Sequence, residues 1–253
     1  MGVALTSSIK RPTHTVSHGG EAIRRAARAL DCFSRERPRR TLSELARETL
    51  RGILTTLVKR GMLGVDAGDT YELGFTWLRF AVLRRRQVQV RDIAVPAMRA
   101  LVDELRETVI LSTRVSDQRV HIEYVESPQP VRRLAQVGNG GPLHVGAAGM
   151  ALLASLPRAE QKDYVARALA GPDAVRVEEE LAQAQVDGFS IAVGSVNPDT
   201  AAVAKGIRTI SGEHFAMTIS CPTERFTKEL EASCIASLQA AVTRLETLLG
   251  EGA

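Results

Sequence analysis

The stretch "TLSELARETLRGILTTLVKRG", residues 41 to 61, constrains this chain more than any other. Thr41 followed three residues later by Glu44 is a capping box, in which each side chain covers an unpaired backbone N–H at a helix start. Leu42, Leu45 and Ala46 supply that helix's inner face. A further helical stretch turns Ile53, Leu54, Leu57 and Val58 inward and leaves Arg51, Thr55, Lys59 and Arg60 outward, until Gly61 ends it. Such a pair describes a helix-turn-helix whose second helix enters the major groove of DNA. Two turns, a link and a three-turn recognition helix need roughly 22 residues. From Leu42 to Arg60 there are nineteen, and no glycine separates Ala46 from Arg51. Pattern and length disagree.

The flanking sequence supports the pattern. "EAIRRAARALDCFSRERPRR" places Ile23, Ala26, Ala27, Leu30 and Phe33 at helical spacing, and Pro38 with Arg39 and Arg40 follows as a loop. "MLGVDAGDTYELG" reads as two short strands around the turn Asp66–Asp69. Three helices and a hairpin make a winged helix-turn-helix over residues 21–74, preceded by a polar arm, residues 1–20, expected to be disordered. Residues 1–91 carry 18 Lys and Arg against 8 Asp and Glu, a net +10, while the remainder carries 15 against 21, a net −6. A basic first third on an acidic remainder points to a polyanion-binding module fused to something else. Arg39, Arg40, Thr41, Arg51, Thr55 and Lys59 are the candidate DNA contacts.

"FTWLRFAVLRRRQ" is amphipathic, with Phe75, Leu78, Ala81 and Val82 inside, and forms a linker helix over residues 75–91. Its Arg84, Arg85 and Arg86 suit either a solvated helix end or contact with phosphates. In residues 92–253 a helix begins around Pro96. "TVILSTRVSDQRVHIEYVES" and "RTISGEHFAMTIS" read as strand hairpins, and helices occupy about 147–156, 158–169, 175–187 and 227–249. The class is α+β. His121 reads as structural.

Two features suggest a small-molecule pocket. "GNGGPLHVGAAGMALL" is a glycine-rich loop entering a helix whose free N–H groups can hold an anion, although a plain tight turn explains it too. In "FAMTISCP", Thr218 and Ser220 share one strand face, where a ligand or solvent would serve their hydroxyls. Cys32, Cys221 and Cys234 are scattered without a metal-binding spacing, which suits core thiols in a reducing cytoplasm. No apolar run is long enough for a membrane span, and no cofactor or metal is expected. Nor does a nucleophile, base and acid stand in a recognisable motif, so an enzyme is disfavoured; His144 and His214 are the best remaining candidates.

"RALDCF", "TLSELARET", "ILTTLVKRGML" and "YELG" resemble the winged-helix domain of the IclR family of bacterial transcription regulators. "VESPQPVRRLAQVG", "LHVGAAGMALLASL" and "MTISCP" resemble that family's GAF-like effector-binding domain. The resemblance implies a homodimer or dimer of dimers that binds operator DNA and responds to a small organic or aromatic acid. It implies that Gly146, Ala147, Ala148, Thr218 and Ser220 enclose the effector, with Asp199 as a further contact. A cysteine used by some members falls at Ala201 or Ala202, and a frequent lysine is Met150, so the acid should be more apolar than the two-carbon acids. The family's glycine-led turn lies between the counterparts of Thr49 and Leu50, where roughly six residues are absent, consistent with the helix-length argument. Either residues mobile without DNA were never placed, which the retained capping box and wing favour, or a real deletion removes the base-reading side chains. In the second case the chain is a small-molecule-binding protein with a truncated head.

Overall fold

The computed structural model describes residues 18–34, 36–46, 51–87, 89–209 and 212–251, in two units, one ending at Val88 and the other starting at Gln89. Helix α1 (His18–Asp31) begins inside the segment expected to be a disordered arm, whose residues 1–17 lie outside the described set. Strand β1 (Arg39–Thr41) occupies the expected loop, because its three extended residues pair with the free edge of the wing, Arg40 opposite Tyr71. The capping box forms as its spacing predicts: the Thr41 hydroxyl accepts from the Glu44 N–H and the Glu44 carboxylate accepts from the Thr41 N–H.

Helix α2 (Leu42–Leu45) is nevertheless one turn, closing at Ala46, and the next described helix is α3 (Arg51–Lys59). The sequence runs unbroken through this region, so the shortfall belongs to the chain itself and not to residues left unplaced. The junction at Thr49 and Leu50 lies outside the described residues. Strands β2 (Leu63–Val65) and β3 (Thr70–Leu73) complete a sheet of order β1-β3-β2. Asp66 fixes the intervening turn by accepting from the Gly68 and Thr70 N–H groups. The core joins Ala29, Leu45, Leu54, Leu57, Leu63 and Tyr71. Ile23 and Ala27 do not join it: the buried stripe of α1 starts at Ala26, and Ala29 takes the inner place.

Helix α4 (Thr76–Gln87) is tied down by Trp77, whose Nε1 donates to the Met62 carbonyl at 2.8 Å. The apolar face expected inside is exposed, with Phe75 at 90% and Leu78 at 63%, and Ala81 and Val82 exposed as well. Among the described residues nothing covers it. The side chains of Arg84, Arg85 and Arg86 lie outside the described set.

In the second unit, α5 (Gln89–Leu105) runs through Pro96 instead of starting near it. The buried stripe Val90, Ala94, Met98, Leu101 and Val102 carries the helix past the proline. Pro96 and Asp92 are exposed, where water can serve the carbonyl that the missing N–H leaves free. Next come β4 (Thr108–Val115), β5 (Gln118–Val125), β6 (Gly140–Pro142), α6 (Gly146–Ala154), α7 (Arg158–Ala168) and α8 (Pro172–Asp187). Then follow β7 (Ser190–Val193), β8 (Thr200–Arg208), β9 (His214–Pro222) and α9 (Lys228–Glu251). The strands form one antiparallel sheet of order β6-β5-β4-β9-β8-β7. Helix α6 lies on the face carrying Ala204 and Ala216, while α9 packs on α5 and β8 through Cys234, Leu238, Val242 and Leu245.

Gly149, midway along α6, lets the helix approach the preceding segment: a Cβ there would stand 2.6 Å from the Leu143 carbonyl oxygen. Gly149→Ala is therefore expected to cost about 1–3 kcal/mol by overpacking against backbone that cannot step aside. Urea denaturation of the two proteins side by side measures it, and an unchanged midpoint would mean that α6 shifts freely.

Candidate DNA-reading face and effector pocket

The six candidate DNA contacts separate by what their side chains already hold. Arg40 is drawn inward, its Nε donating to the Cys32 carbonyl at 2.7 Å and its guanidinium pairing with Glu44 at 3.2 Å. The Thr41 hydroxyl is engaged by Ser43 and Glu44. Arg39 leans toward Glu72 across the β1–β3 pair at 3.4 Å. All three side chains thus already have a partner within the unit. Arg51, Thr55, Lys59 and the adjacent Arg60 are exposed on the side of α3 opposite Leu54 and Leu57. Among the described residues the three cations form no ion pair, and Thr55 donates only to its own helix, to the Arg51 carbonyl. A cationic helix face with no acid partner among the described residues is the part of this unit suited to phosphate oxygens.

The effector candidates are also divided. Gly146 takes a left-handed φ of 78° at the start of α6 and lines a cavity of about 370 Å³ between α6, α8 and β7. His144, Met150, Arg176, Glu180, Asp187 and Ser190 line it too. Arg176 is already bonded to Glu180 at 2.7 Å, and Asp187 adds a further negative charge, so the cavity does not favour an anion. Thr218 and Ser220 are absent from its wall. Both point from β9 toward the α6 side, in line with Ala204 and Ala202 of β8. There the Thr218 hydroxyl is buried without a partner, while Ser220 donates to the Ala201 carbonyl at 3.3 Å. Ala147 and Ala148 are buried within α6. Asp199 is exposed, and its backbone, not its carboxylate, is what the fold uses, accepting from the Thr223 N–H at 3.1 Å. Gly146 thus lines a cavity, and Thr218 lies buried on the sheet face that α6 covers.

Sequence reasoning gave no ligand role to three residues on that sheet face. Ser190 of β7, aligned with Ala204 and through it with Thr218, has a second buried hydroxyl without a partner. His121 is buried, with its Nδ1 2.9 Å from the Ser112 hydroxyl, and burial followed by the nearby Arg119 and Arg133 lowers its pKa to about 4. Arg119 lies beside it. A β-bulge between Leu111 and Ser112 turns His121 to the face that also carries Tyr124, which strict alternation does not foresee.

The two histidines considered for catalysis are tied into the fold. His144 Nδ1 lies 2.7 Å from the Tyr164 hydroxyl and His214 Nδ1 lies 3.1 Å from the Ser155 hydroxyl. Burial raises the Cys221 and Cys234 thiols to about 12, far from a reactive thiolate. Among the described residues no helix is long and apolar enough to cross a membrane.

Comparison with known proteins fits this architecture. Residues 82–247 match the family model "Bacterial transcriptional regulator IclR C-terminal". The HTH-type transcriptional regulator Rv1719 of Mycobacterium tuberculosis is 31% identical over 209 residues, 80% of each chain. The HTH-type transcriptional regulator KipR of Bacillus subtilis is 33% identical over 135 residues, 51% of this chain, and the match spans 54% of that protein. An IclR family transcriptional regulator from Brucella abortus shares the fold at a TM-score of 0.80 and 22% identity, covering 90% of this chain and 92% of that one. An IclR homolog from Microbacterium hydrocarbonoxydans, solved in complex with 4-hydroxybenzoate, does so at 0.69 and 21% identity, covering 91% and 99%. With the family model spanning most of its length, the chain belongs to the IclR family of bacterial transcriptional regulators.

Proposed function

We propose that this chain is a cytoplasmic, non-catalytic regulator that binds operator DNA through α3 and responds to a small organic acid held by its second unit. The observation that carries the reading is the outward face of α3, where Arg51, Lys59 and Arg60 are exposed and uncommitted within a unit of net positive charge. The relative in complex with 4-hydroxybenzoate supports an acid as effector, and the unpartnered Thr218 hydroxyl supports the α6-facing side of the sheet as its place. Ser220 shares that strand face, and Gly146, Ala147 and Ala148 of α6 together with Asp199 complete the candidate set. The exposed apolar residues Phe75, Leu78 and Ile23 support a second copy packing against the first unit, giving a dimer that presents two α3 helices to two half-sites. The acid acts by binding one arrangement of those heads more tightly than another.

The test is fluorescence anisotropy with a DNA fragment selected by the protein from a random pool, titrated over a range of salt. Arg51→Ala and Lys59→Ala should each weaken binding, reducing the slope of log affinity against log salt by about one for each lost phosphate contact. Binding the selected fragment no better than random DNA would instead favour the second reading, a ligand-binding protein with a truncated head. The one-turn α2, closing at Ala46, and the nineteen residues from Leu42 to Arg60 favour that alternative.

A further inference from the structure

Arg119 is the one buried cation among the described residues, at 8% exposure, and it has no carboxylate beside it. The other arginines with well-covered side chains all do: Arg40 holds Glu44, Arg91 holds Glu123, Arg114 holds Glu160 and Arg225 holds Glu107. The Nε of Arg119 meets no hydrogen-bond partner, and its NH1 lies 3.4 Å from His121 Nε2, a long contact to a neutral ring. Arg133 stands close enough to disfavour the guanidinium's charge further. The guanidinium rests against Gly141, where a Cβ would fall 2.8 Å from NH2.

The same sheet face carries a second orphan. Ser112 is opposite both His121 and Ala216, and Ile110 is opposite both Tyr124 and Thr218. The unpartnered Thr218 hydroxyl therefore sits one residue pair along from Ser112, with apolar Ile110 and Ala216 between. A buried guanidinium donates only, and burying it unpaired is costly unless an anion accepts from it.

We infer that Arg119 receives the carboxylate of the effector, with His121 and Ser112 positioning it and the acid's apolar body lying along Ile110 and Ala216 toward Thr218. This deepens the reading of the second unit as an acid sensor and rests on it. The cavity at Gly146 is a poorer anchor, since its arginine is already neutralised.

The experiment measures melting temperature and calorimetric binding of the full chain with benzoate and with benzamide, its uncharged counterpart, at constant ionic strength. Benzoate, not benzamide, should raise the melting temperature of the parent protein. Arg119→Met should raise it without any ligand, because an unpaired buried charge is gone, and should weaken benzoate by at least about tenfold, the scale of a lost charge-assisted fork. Arg119→Lys should keep the charge but weaken benzoate too, because an ammonium cannot form the two-pronged bond. A lower melting temperature for Arg119→Met would show a structural arginine and overturn the inference. So would equal benzoate binding by the parent and Arg119→Met proteins, or none by the parent. Failure here with selective DNA binding intact would remove this anchor and leave the regulator standing; loss of selective DNA binding alone would do the reverse.

Discussion

Arg225→Ala is expected to cost the second unit about 3–5 kcal/mol, because it strands a carboxylate in the interior. Glu107, just before β4, has a side chain only 3% exposed, and Arg225, in the turn after β9, meets it with two parallel bonds of 2.6 and 2.7 Å. The pair joins two segments that adjoin the centre of the sheet. Removing the other partner is expected to cost less, since Arg225 is 30% exposed and keeps a bond to the Val131 carbonyl. Water can reach the abandoned guanidinium but not the abandoned carboxylate. Equilibrium unfolding of Arg225→Ala, Glu107→Ala and the double variant reads the ordering directly. Equal losses from the two single changes would mean that burial does not decide the energetics here.

Acid should destabilise the protein through His121. Its folded pKa, about 4, lies below the ordinary value of 6.5, so the ring stays neutral in the native state while the unfolded chain takes up a proton. Above pH 6.5 the residue contributes no pH dependence; between 6.5 and 4 stability falls, and below 4 both states are protonated and the loss levels off. A shift of this size corresponds to about 3 kcal/mol over that window. His121→Gln should flatten this part of the pH–stability curve relative to the parent, leaving the carboxylate-driven loss below it. Parallel curves would mean that the native ring protonates without penalty.

Those two groups also mark the limit of what the residue pattern disclosed. The helices of the second unit and both long hairpins were legible, because sustained periodicities of 3.6 and 2 leave little room for another reading. Leu238, Val242 and Leu245 of α9 illustrate it. Short strands without a turn signal beside them were not: β1, β6 and β7 have three or four residues each, too few for a period, and form only because a neighbouring strand offers an edge. In β5, Arg119 and His121 alternate with Val120 and Ile122, so the pattern alone turns the apolar residues inward. The bulge at Ile122 and the cover provided by β6 place the polar pair inside instead, and both depend on pairing with other strands. Thr218 and Ser220 were found because alternation settles a face. What lies opposite that face was not legible. Arg40 shows the same limit: its basic character was evident, but its bond to the Cys32 carbonyl is tertiary.

The strand order has a consequence for how the protein is made. The β4–β5 hairpin leaves the ribosome early, yet β4's other neighbour in the finished sheet is β9, so Ile110 waits for Thr218. At about 5–20 residues per second of synthesis, that edge stays open for on the order of ten seconds, a bare apolar template for other nascent chains. The first unit draws its sheet and core from before Gly74 and can be complete during that interval. Each molecule is thus born with its first unit ready to close while its second still awaits a central strand.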